Sequence, residues 1–386
     1  MERNSNQQLT GKKILFANFP ADGHFNPLTG LAIHLKEAGA DVRWYTSRTY
    51  AEKLVKLEIK HYPFKKAVEI DANNFDEVFP GRNKHKSQIA KLKFDIIHAF
   101  IERGPEYYED IQEVYKEFPF ELMIADCAFT GIPFIKELMR IPVIAIGVFP
   151  LTESSKDLPP AGLGMEPSHS FTGMIKEAVM RVVTKQVIFR APDKVLHRQF
   201  ARYKIHHNNE GVFDMLIQKS DFLLQIGTPG FEYKRSDMSK HVHFLGALLP
   251  YRAPAGGKHW FDKRLNEYER VVLVTQGTVE KDIVKLLVPT LEAFKGSNHL
   301  VVCTTGGSRT EELRKRFPQE NLIIEDFIPF GDIMPYADVY ITNGGYGGVM
   351  LGIENELPQV VAGIHEGKNE INARIGYFKL GVNLKT

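Results

Sequence analysis

Short, mainly apolar runs alternate with amphipathic segments along this chain, and the alternation limits its possible folds more than any other feature. KILFANF (13–19) reads as a buried strand, PLTGLAIHLKEAGA (27–40) has apolar residues at helical spacing, and DVRWYTS (41–47) is again strand-like. The pattern recurs at ELMIADC (121–127), PVIAIGV (142–148) and FLLQIG (222–227). Buried strands that alternate with helices are typical of parallel βαβ units with helices on both faces of the sheet. The chain is therefore predicted to have an α/β fold.

A second series of the same kind follows an interruption rich in proline and glycine, LPYRAPAGGKHW (249–260). Its five strand-like runs are RVVLVTQGT (270–278), HLVVCTTGG (299–307), NLIIEDF (321–327), ADVYITNGG (337–345) and QVVAGIH (359–365). Since 386 residues exceed the usual size of one hydrophobic core, we predict two doubly wound, Rossmann-like domains that face a cleft. The boundaries are residues 1–250 for the first domain, 251–264 for the linker and 265–386 for the second domain.

The net charge and the cysteine content indicate which partners and which cellular compartment to expect. The formal net charge is only +2, so no overall field favours nucleic acid or an anionic membrane as a partner. The two cysteines, Cys127 and Cys303, lie in apolar runs, which suits buried thiols in a reducing compartment, with the cytoplasm as the default. The sequence MERNSNQQLTGKK lacks the apolar core of a signal peptide, and no window approaches 18 apolar residues. We expect neither secretion nor a membrane span.

Three segments depart from the alternating pattern. Residues 65–88 and 150–170 are rich in charges and turn-forming residues and are predicted to be long loops. Loops of this length are often lids or substrate-facing segments, although surface excursions are the alternative. The basic, periodic stretch at 187–207 is interpreted as a solvated helix face.

His24 follows the first predicted strand, at the edge where a parallel sheet presents residues to ligands. Pro27 suits the first position of the next helix, so His24 is expected just before that helix. A neutral imidazole can act as a general base because its ordinary pKa of about 6.5 lies near the working pH. A capping or buried histidine is an equally good interpretation of the position alone.

Asp126 ends another buried run on the same edge, so the two side chains are expected to touch. A carboxylate bonded to one ring nitrogen of His24 fixes its tautomer and stabilises the imidazolium that forms when the other nitrogen takes a proton. Without a nucleophilic serine or cysteine nearby, the pair points to deprotonation of a substrate hydroxyl. The alternative for Asp126 is a cap on the following helix, which does not exclude this role.

A glycine-rich turn connects a strand to a helix in DVYITNGGYGGVMLGI (338–353). Free amides and the helix dipole at such a turn bind phosphate, although a simple tight turn is the alternative. The run is neither a dinucleotide fingerprint nor a P-loop. We favour an anion site, with Gly277 and Thr278 of QGT (276–278) as a second clamp.

These motifs, taken in order, resemble the GT-B glycosyltransferases of the macrolide and UDP-glucuronosyltransferase-like family, in its bacterial and fungal forms. The matching segments are GHFNP (23–27), ADC (125–127), VTQGT (274–278), TNGGYGG (342–348) and NEINARI (369–375). The resemblance implies an inverting, metal-independent hexosyltransferase whose nucleotide diphosphate sugar is a co-substrate, with no further cofactor. The expected donor is a UDP-sugar, and the expected acceptor is a small, largely apolar hydroxylated molecule such as a phenolic or a polyketide.

The resemblance also assigns roles to residues. His24 would remove the acceptor proton and Asp126 would orient His24, with the acceptor in the first domain beside Phe25, Phe129 and Phe149. The second domain would hold the donor. The diphosphate residues would be Asn343, Gly344, Gly345, Gly347 and Gly348 with Gly277 and Thr278, and the nucleobase would lie beside Phe327 and Ile328. Glu366 and Lys368 are the candidates for the sugar hydroxyls.

The sequence departs from the family at four places. Asn343 stands where many relatives have histidine, so the phosphate would meet an amide. Leu351 stands where many have a glutamate for the ribose hydroxyls. Either Gly367-Lys368 or Lys368-Asn369 falls in the place of an Asp-Gln pair that binds the sugar. Relatives also continue past the equivalent of Thr386 with helices that cross to the first domain, and we expect lower stability or activity without them.

Two other functions compete with glycosyl transfer. A GT-B-like protein that binds a nucleotide sugar or a partner without catalysis would explain the missing donor contacts, but it would not need His24 and Asp126. An NAD-dependent oxidoreductase would need a glycine fingerprint after the first strand, and the sequence has none there.

Overall fold

A computed structural model describes residues 9–70, 74–248, 250–251, 259–277, 280–363 and 367–385. The chain divides into two compact units. The first unit contains residues 1–160 and 167–251, and the second contains residues 161–166 and 252–386. Both units are built on parallel sheets, so the predicted α/β, doubly wound fold class is confirmed.

The first unit contains a seven-stranded sheet in which every pair of neighbouring strands is parallel. The strand order is β3-β2-β1-β4-β5-β6-β7. The strands are β1 Lys13–Ala17, β2 Asp41–Thr46, β3 Lys60–Pro63, β4 Leu122–Asp126, β5 Val143–Gly147, β6 Phe222–Ile226 and β7 Val242–Gly246.

The α-helices of the first unit are α1 to α9 in chain order. They are α1 Asp22–Glu37, α2 Ala51–Lys56, α3 Phe75–Val78, α4 Gln88–Asp95, α5 Gly104–Glu117, α6 Ile132–Phe134, α7 Phe171–Val183, α8 Arg190–Tyr203 and α9 Val212–Gln218. Three of them, α4, α6 and α7, continue into π-helical turns at Ile96–Phe100, Ile135–Met139 and Thr184–Ile188. Shorter 3₁₀ turns include Arg48–Tyr50, Pro80–Lys84, Ile101–Arg103 and Pro229–Phe231.

The second unit contains a six-stranded parallel sheet in the order β10-β9-β8-β11-β12-β13. The strands are β8 Val271–Thr275, β9 Leu300–Thr304, β10 Leu322–Glu325, β11 Val339–Thr342, β12 Gln359–Val361 and β13 Gly381–Asn383. The helices are α10 Leu287–Phe294, α11 Thr310–Arg316, α12 Phe330–Ile333, α13 Tyr346–Glu354 and α14 Lys368–Tyr377, with 3₁₀ turns at Lys263–Asn266 and Met334–Tyr336.

Two hydrophobic cores cover the two faces of the second sheet, because successive side chains of a strand point to opposite faces. Val272 and Val274 of β8 belong to one cluster with Leu287 and Leu313 from α10 and α11. Val271 and Leu273 of the same strand belong to the other cluster, with Ile333 of α12. Burial on both faces is why the strands read as continuous apolar runs.

The strand order of each sheet determines where a ligand is expected to bind. In each sheet the chain starts at a central strand, builds outward in one direction and then reverses, so that β1 lies beside β4 and β8 lies beside β11. Ligands of open parallel sheets bind at this switch point, beyond the carboxyl ends of the two central strands. His24 follows β1 and Asp126 ends β4, whereas Gly277 follows β8 and Asn343 follows β11.

The start of α1 corrects one prediction. The helix begins at Asp22, and Pro27 lies inside it instead of at its first position. The backbone N–H groups of His24 and Phe25 both donate to the carbonyl oxygen of Ala21, so the first turn is already closed before the proline. Pro27 lacks an N–H and removes one bond of the ladder without ending the helix.

The irregular segments are mostly as predicted. Residues 151–170 contain no helix or strand, and the described part of residues 65–88 contains only the short turns α3 and Pro80–Lys84 before α4 begins. Cys127 and Cys303 are buried free thiols. Within the described ranges, no helix has the length and apolar character needed to cross a membrane.

Candidate active site

One buried carboxyl group organises the switch point of the first unit. Asp126 is completely inaccessible to solvent at the end of β4. Its Oδ2 accepts a hydrogen bond of 2.6 Å from the backbone N–H of Phe19, and its Oδ1 accepts one of 2.9 Å from the N–H of Ala128. Asp126 thereby fixes the turn after β1 as well as its own turn.

His24 completes this arrangement from the first turn of α1. Its Nδ1 lies 2.7 Å from Oδ1 of Asp126. In the neutral imidazole this contact favours the tautomer with the proton on Nδ1, which leaves the lone pair on Nε2. No described residue forms a hydrogen bond with Nε2, and the side chain is 19% exposed. The ring is therefore held at one nitrogen and available to a ligand at the other.

Aromatic rings surround the accessible part of His24. Phe19 contacts its ring edge-on, with centroids 5.4 Å apart, and Phe149 lies in a similar orientation at 6.2 Å. Phe100 stacks on Phe19 at 4.4 Å with an interplanar angle of 11°. Phe19 and Phe100 were not among the predicted site residues, although the position of Phe19 just beyond β1 was a signal for it.

Two predicted acceptor residues belong to the core instead. Phe25 stacks on Tyr50 at 4.4 Å and packs against Trp44, and its side chain is almost fully buried. Phe129 is fully buried and stacks on Tyr107 at 4.5 Å. This burial corrects the prediction that these two rings line an acceptor pocket. Phe149 is only partly buried and stays a predicted contact.

In the second unit, the loops after β8 and β11 are tied together at the corresponding switch point. The side-chain amide of Asn343 donates a hydrogen bond to the backbone carbonyl of Gln276. Gly277 and Gly344 both have positive φ, at 74° and 87°, which glycine adopts without strain. Gln276 lies at the same turn and was not predicted individually. Its side chain is fully buried, and its Oε1 has no partner among the described residues.

Helix α13 begins directly after this turn. Gly345 precedes its first residue, Gly347 and Gly348 lie in its first turn, and no side chain caps it. The N–H groups of Gly347 and Gly348 have no partner within the helix, so this end offers hydrogen-bond donors to an anion. The five predicted diphosphate residues from Asn343 to Gly348 thus lie together at one helix terminus.

Asn372 of α14 supports the same turn and was not predicted individually. Its Nδ2 donates to the carbonyl of Gly363 at 2.9 Å, while its buried Oδ1 has no partner among the described residues. A Cβ atom at Gly344 would lie 1.8 Å from that oxygen, so only glycine fits there. The sequence signal for Asn372 is its place in the segment NEINARI (369–375), which matches the family.

A pocket of about 440 Å³ lies beside α14 within the second unit. Its lining includes Gly164, Glu166, Gly363, Asn369 and Asn372. Glu370 holds the segment at 161–166 in place, since its Oε1 accepts bonds from the N–H groups of Gly162 and Gly164 at 2.8 and 2.7 Å.

The remaining predicted donor residues lie in different environments. Phe327 follows β10, is 66% exposed and lies next to Gly307, which leaves its ring available for stacking. The side chain of Ile328 is buried in a core cluster, and its position beside the nucleobase stays a prediction. Lys368 is the first residue of α14. Thr278 and Glu366 lie outside the described residues.

We compared the chain with known protein families, sequences and structures. No family model matches the chain. The 4'-demethylrebeccamycin synthase of Lentzea aerocolonigenes is 32% identical over 377 residues, which cover 97% of this chain and 88% of that protein. UDP-glycosyltransferase 2 of Phaeomoniella chlamydospora is 27% identical over 393 residues, with 96% and 84% of the two chains covered. The solved structure of the kitacinnamycin glycosyltransferase superposes with a TM-score of 0.70 at 17% identity, covering 96% of this chain and 85% of that one.

The fold is that of the GT-B glycosyltransferases, with two doubly wound parallel units. The relationship is closer than a shared fold, because the sequence is 32% identical to a relative over nearly the whole chain. The chain belongs to the UDP-glycosyltransferase family and is a glycosyltransferase.

Proposed function

We propose that this protein transfers a sugar from a nucleotide diphosphate sugar, with UDP as the nucleotide, to a hydroxyl group of a small, largely apolar acceptor. The transfer inverts the configuration of the anomeric carbon and uses no metal ion. The observation that carries the proposal is the hydrogen bond between His24 Nδ1 and Asp126 Oδ1, which leaves Nε2 of the same ring open.

The chemical step starts at that open nitrogen. His24 Nε2 takes the proton of the acceptor hydroxyl as its oxygen attacks the anomeric carbon, and the bond from that carbon to the diphosphate breaks. Attack on the face opposite to the leaving group inverts the carbon. The imidazolium that forms lies 2.7 Å from a carboxyl oxygen that can balance its charge.

The leaving diphosphate is held in the second unit. The N–H groups of Gly347 and Gly348 at the start of α13 supply hydrogen-bond donors, and the helix dipole favours negative charge at this end. These donors take the place that a metal ion has in other phosphate sites. Asn343 adds a neutral amide, so the charge on the diphosphate is balanced by dipoles instead of by an imidazolium.

The acceptor binds beside His24 in the first unit. The rings of Phe19 and Phe149 border the imidazole, which favours an apolar or aromatic molecule with a single hydroxyl aimed at Nε2. The relative named 4'-demethylrebeccamycin synthase supports an acceptor of the natural-product type, and the relatives named as UDP-glycosyltransferases support a UDP-sugar as donor.

The test is product formation from UDP-glucose and a panel of phenolic acceptors. His24→Ala is expected to lower kcat by about 10²- to 10⁴-fold, the usual contribution of a general base. His34→Ala is the matched control, because His34 is an exposed histidine on the same helix, and it should leave kcat unchanged. NMR of the product should show the inverted anomer, and EDTA should not lower the rate.

The outcome also separates the enzyme from a protein that only binds nucleotides. UDP binding in a calorimeter, with no product from any of several UDP- and dTDP-sugars, would contradict the proposal. Retained activity in His24→Ala would contradict the assigned base while leaving glycosyl transfer itself in place.

A further inference from the structure

Helix α7 and the π turn that follows it (residues 171–188) place their polar and apolar residues in an unusual way. The side chain of Glu177 is buried and accepts a 2.6 Å bond from the N–H of Ser168. Arg181 donates a 2.8 Å bond to the carbonyl of Leu158, and Thr184 is buried. Glu177 and Arg181 therefore tie the helix to the loop that precedes it.

The opposite side of this helix carries apolar side chains into solvent. Phe171 is 74% exposed, Val179 56% and Val182 61%. The exposed apolar residues recur at intervals of three and four, which places most of them on one stripe. They are Phe171, Met174, Ile175, Val179, Val182, Val183 and Val187. We call this stripe the α7 face.

A stripe of seven exposed apolar side chains on one helix and the turn after it is the kind of surface that marks an interaction site. A helix that packs only against its own unit would bury this stripe, whereas α7 exposes it and buries Glu177. Among the described residues, no hydrogen bond or ring contact joins the α7 face to His24, to Asp126 or to the glycine-rich turn.

The charges beside the α7 face indicate its occupant. Lys176, Lys185 and Arg190 are exposed, and the acidic residue of the segment 171–190, Glu177, is buried and bonded inward. Basic residues that border an apolar stripe are the pattern of helices that lie in the interface of an anionic membrane. Exposed lysines would oppose stacking of two identical faces, because like charges would meet.

We propose that the α7 face binds the surface of membranes that contain anionic phospholipids. The apolar side chains enter the boundary between headgroups and acyl chains, and the basic residues contact the lipid phosphates. The helix lies in the plane of the interface and does not cross the bilayer. The near-neutral charge of the whole chain gives no overall attraction, so the binding depends on this local face.

Co-sedimentation of the full chain with vesicles tests the proposal. The protein should sediment with vesicles of phosphatidylcholine and phosphatidylglycerol, less in high salt, and not with phosphatidylcholine alone. The double variant Val179→Glu, Val182→Glu should lose at least about tenfold in affinity, since it places charges in the apolar stripe. Lys176→Gln with Lys185→Gln should lose about fivefold for each charge removed.

Val55→Glu is the matched control, because Val55 is 73% exposed on α2. It should bind vesicles like the unchanged protein, and none of these variants should lose activity toward a water-soluble acceptor. If the glutamate variant fails to fold, the glutamine variant still decides the question.

Two results overturn the proposal. One is the absence of vesicle binding by the unchanged protein. The other is self-association in sedimentation equilibrium that the Val179→Glu, Val182→Glu variant abolishes, with no binding to vesicles, which would assign the α7 face to a second copy of this chain.

Discussion

Asp126 joins three parts of the first unit through one carboxyl group. It accepts hydrogen bonds from the turn after β1, from its own turn and from the ring of His24. It contacts neither substrate in the proposed reaction, so it is a positioning residue. Its substitution should change the orientation of His24 as well as the stability of the turn.

Asp126→Asn is expected to lower kcat by about 10²-fold or more and to leave KM for the donor nearly unchanged. The amide has a single acceptor oxygen, so its nitrogen must face one of the present donors, at a cost of about 1–3 kcal/mol in unfolding free energy. Steady-state kinetics and chemical denaturation measure the two effects.

Asp110→Asn is the control for a purely structural effect. Asp110 is also buried in the first unit, where it accepts bonds from the hydroxyl of Tyr45 and from the backbone N–H groups of Lys65 and Lys66. If it lowered kcat as much as Asp126→Asn at equal loss of stability, the orienting role of Asp126 would be rejected.

The sequence predicted the neighbours His24 and Asp126 because both positions follow from where buried strands end. It could not predict the environment of Phe25. Successive helical residues point about 100° apart, so His24 can face Asp126 while Phe25 packs into the core. Gln276 and Asn372 could not be predicted as site residues, because their positions depend on how two loops and a helix pack together. A local sequence pattern does not contain that information.

At the level of elements, the apolar runs predicted ten of the strands, and the three missed strands share a reason. β3 (KHYP), β7 (VHFLG) and β13 (GVN) are short strands with little or no continuous apolar run. β3, β7 and β13 lie at sheet edges, where burial on both faces is not required. The early start of α1 was missed because its N-cap residue, Ala21, has no capping side chain, which left Pro27 as the stronger local signal.

The glycine-rich turn before α13 allows a test with a matched pair of substitutions. Gly344→Ala introduces a side chain at a φ of 87° and brings its Cβ into contact with Asn372. The variant should lose about 2 kcal/mol or more of unfolding free energy, and its affinity for UDP should fall. Thermal denaturation and calorimetric titration measure the two.

Gly347→Ala is the partner experiment in the first turn of α13. A Cβ there meets no atom within 4 Å, and alanine favours a helix over glycine by roughly 0.5–1 kcal/mol. The variant should keep or gain stability, yet bind UDP more weakly if phosphate approaches these amides. Unchanged UDP affinity would argue against a phosphate at this helix end.

The whole molecule consists of two units with separate cores. We expect two transitions in scanning calorimetry, because units with their own cores can unfold independently. UDP at 100 times its Kd should stabilise the second unit alone by about 2.7 kcal/mol, since binding stabilises only the unit that holds the ligand.

Gly344→Ala identifies the transition of the second unit, because it should lower one transition and leave the other in place. A shift of both transitions by UDP, or of the transition that Gly344→Ala leaves unchanged, would be inconsistent with a donor site confined to the second unit.

The segment at 161–166 has a practical consequence for building chimeras. It belongs to the second unit although it lies within the sequence of the first. Glu370 of the second unit accepts hydrogen bonds from two of its backbone N–H groups. The chain therefore passes from one unit to the other three times, after residues 160, 166 and 251. A hybrid enzyme joined only near residue 251 would combine the α14 of one parent with the 161–166 segment of another. Donor exchange between relatives should succeed more often when both pieces come from the same parent.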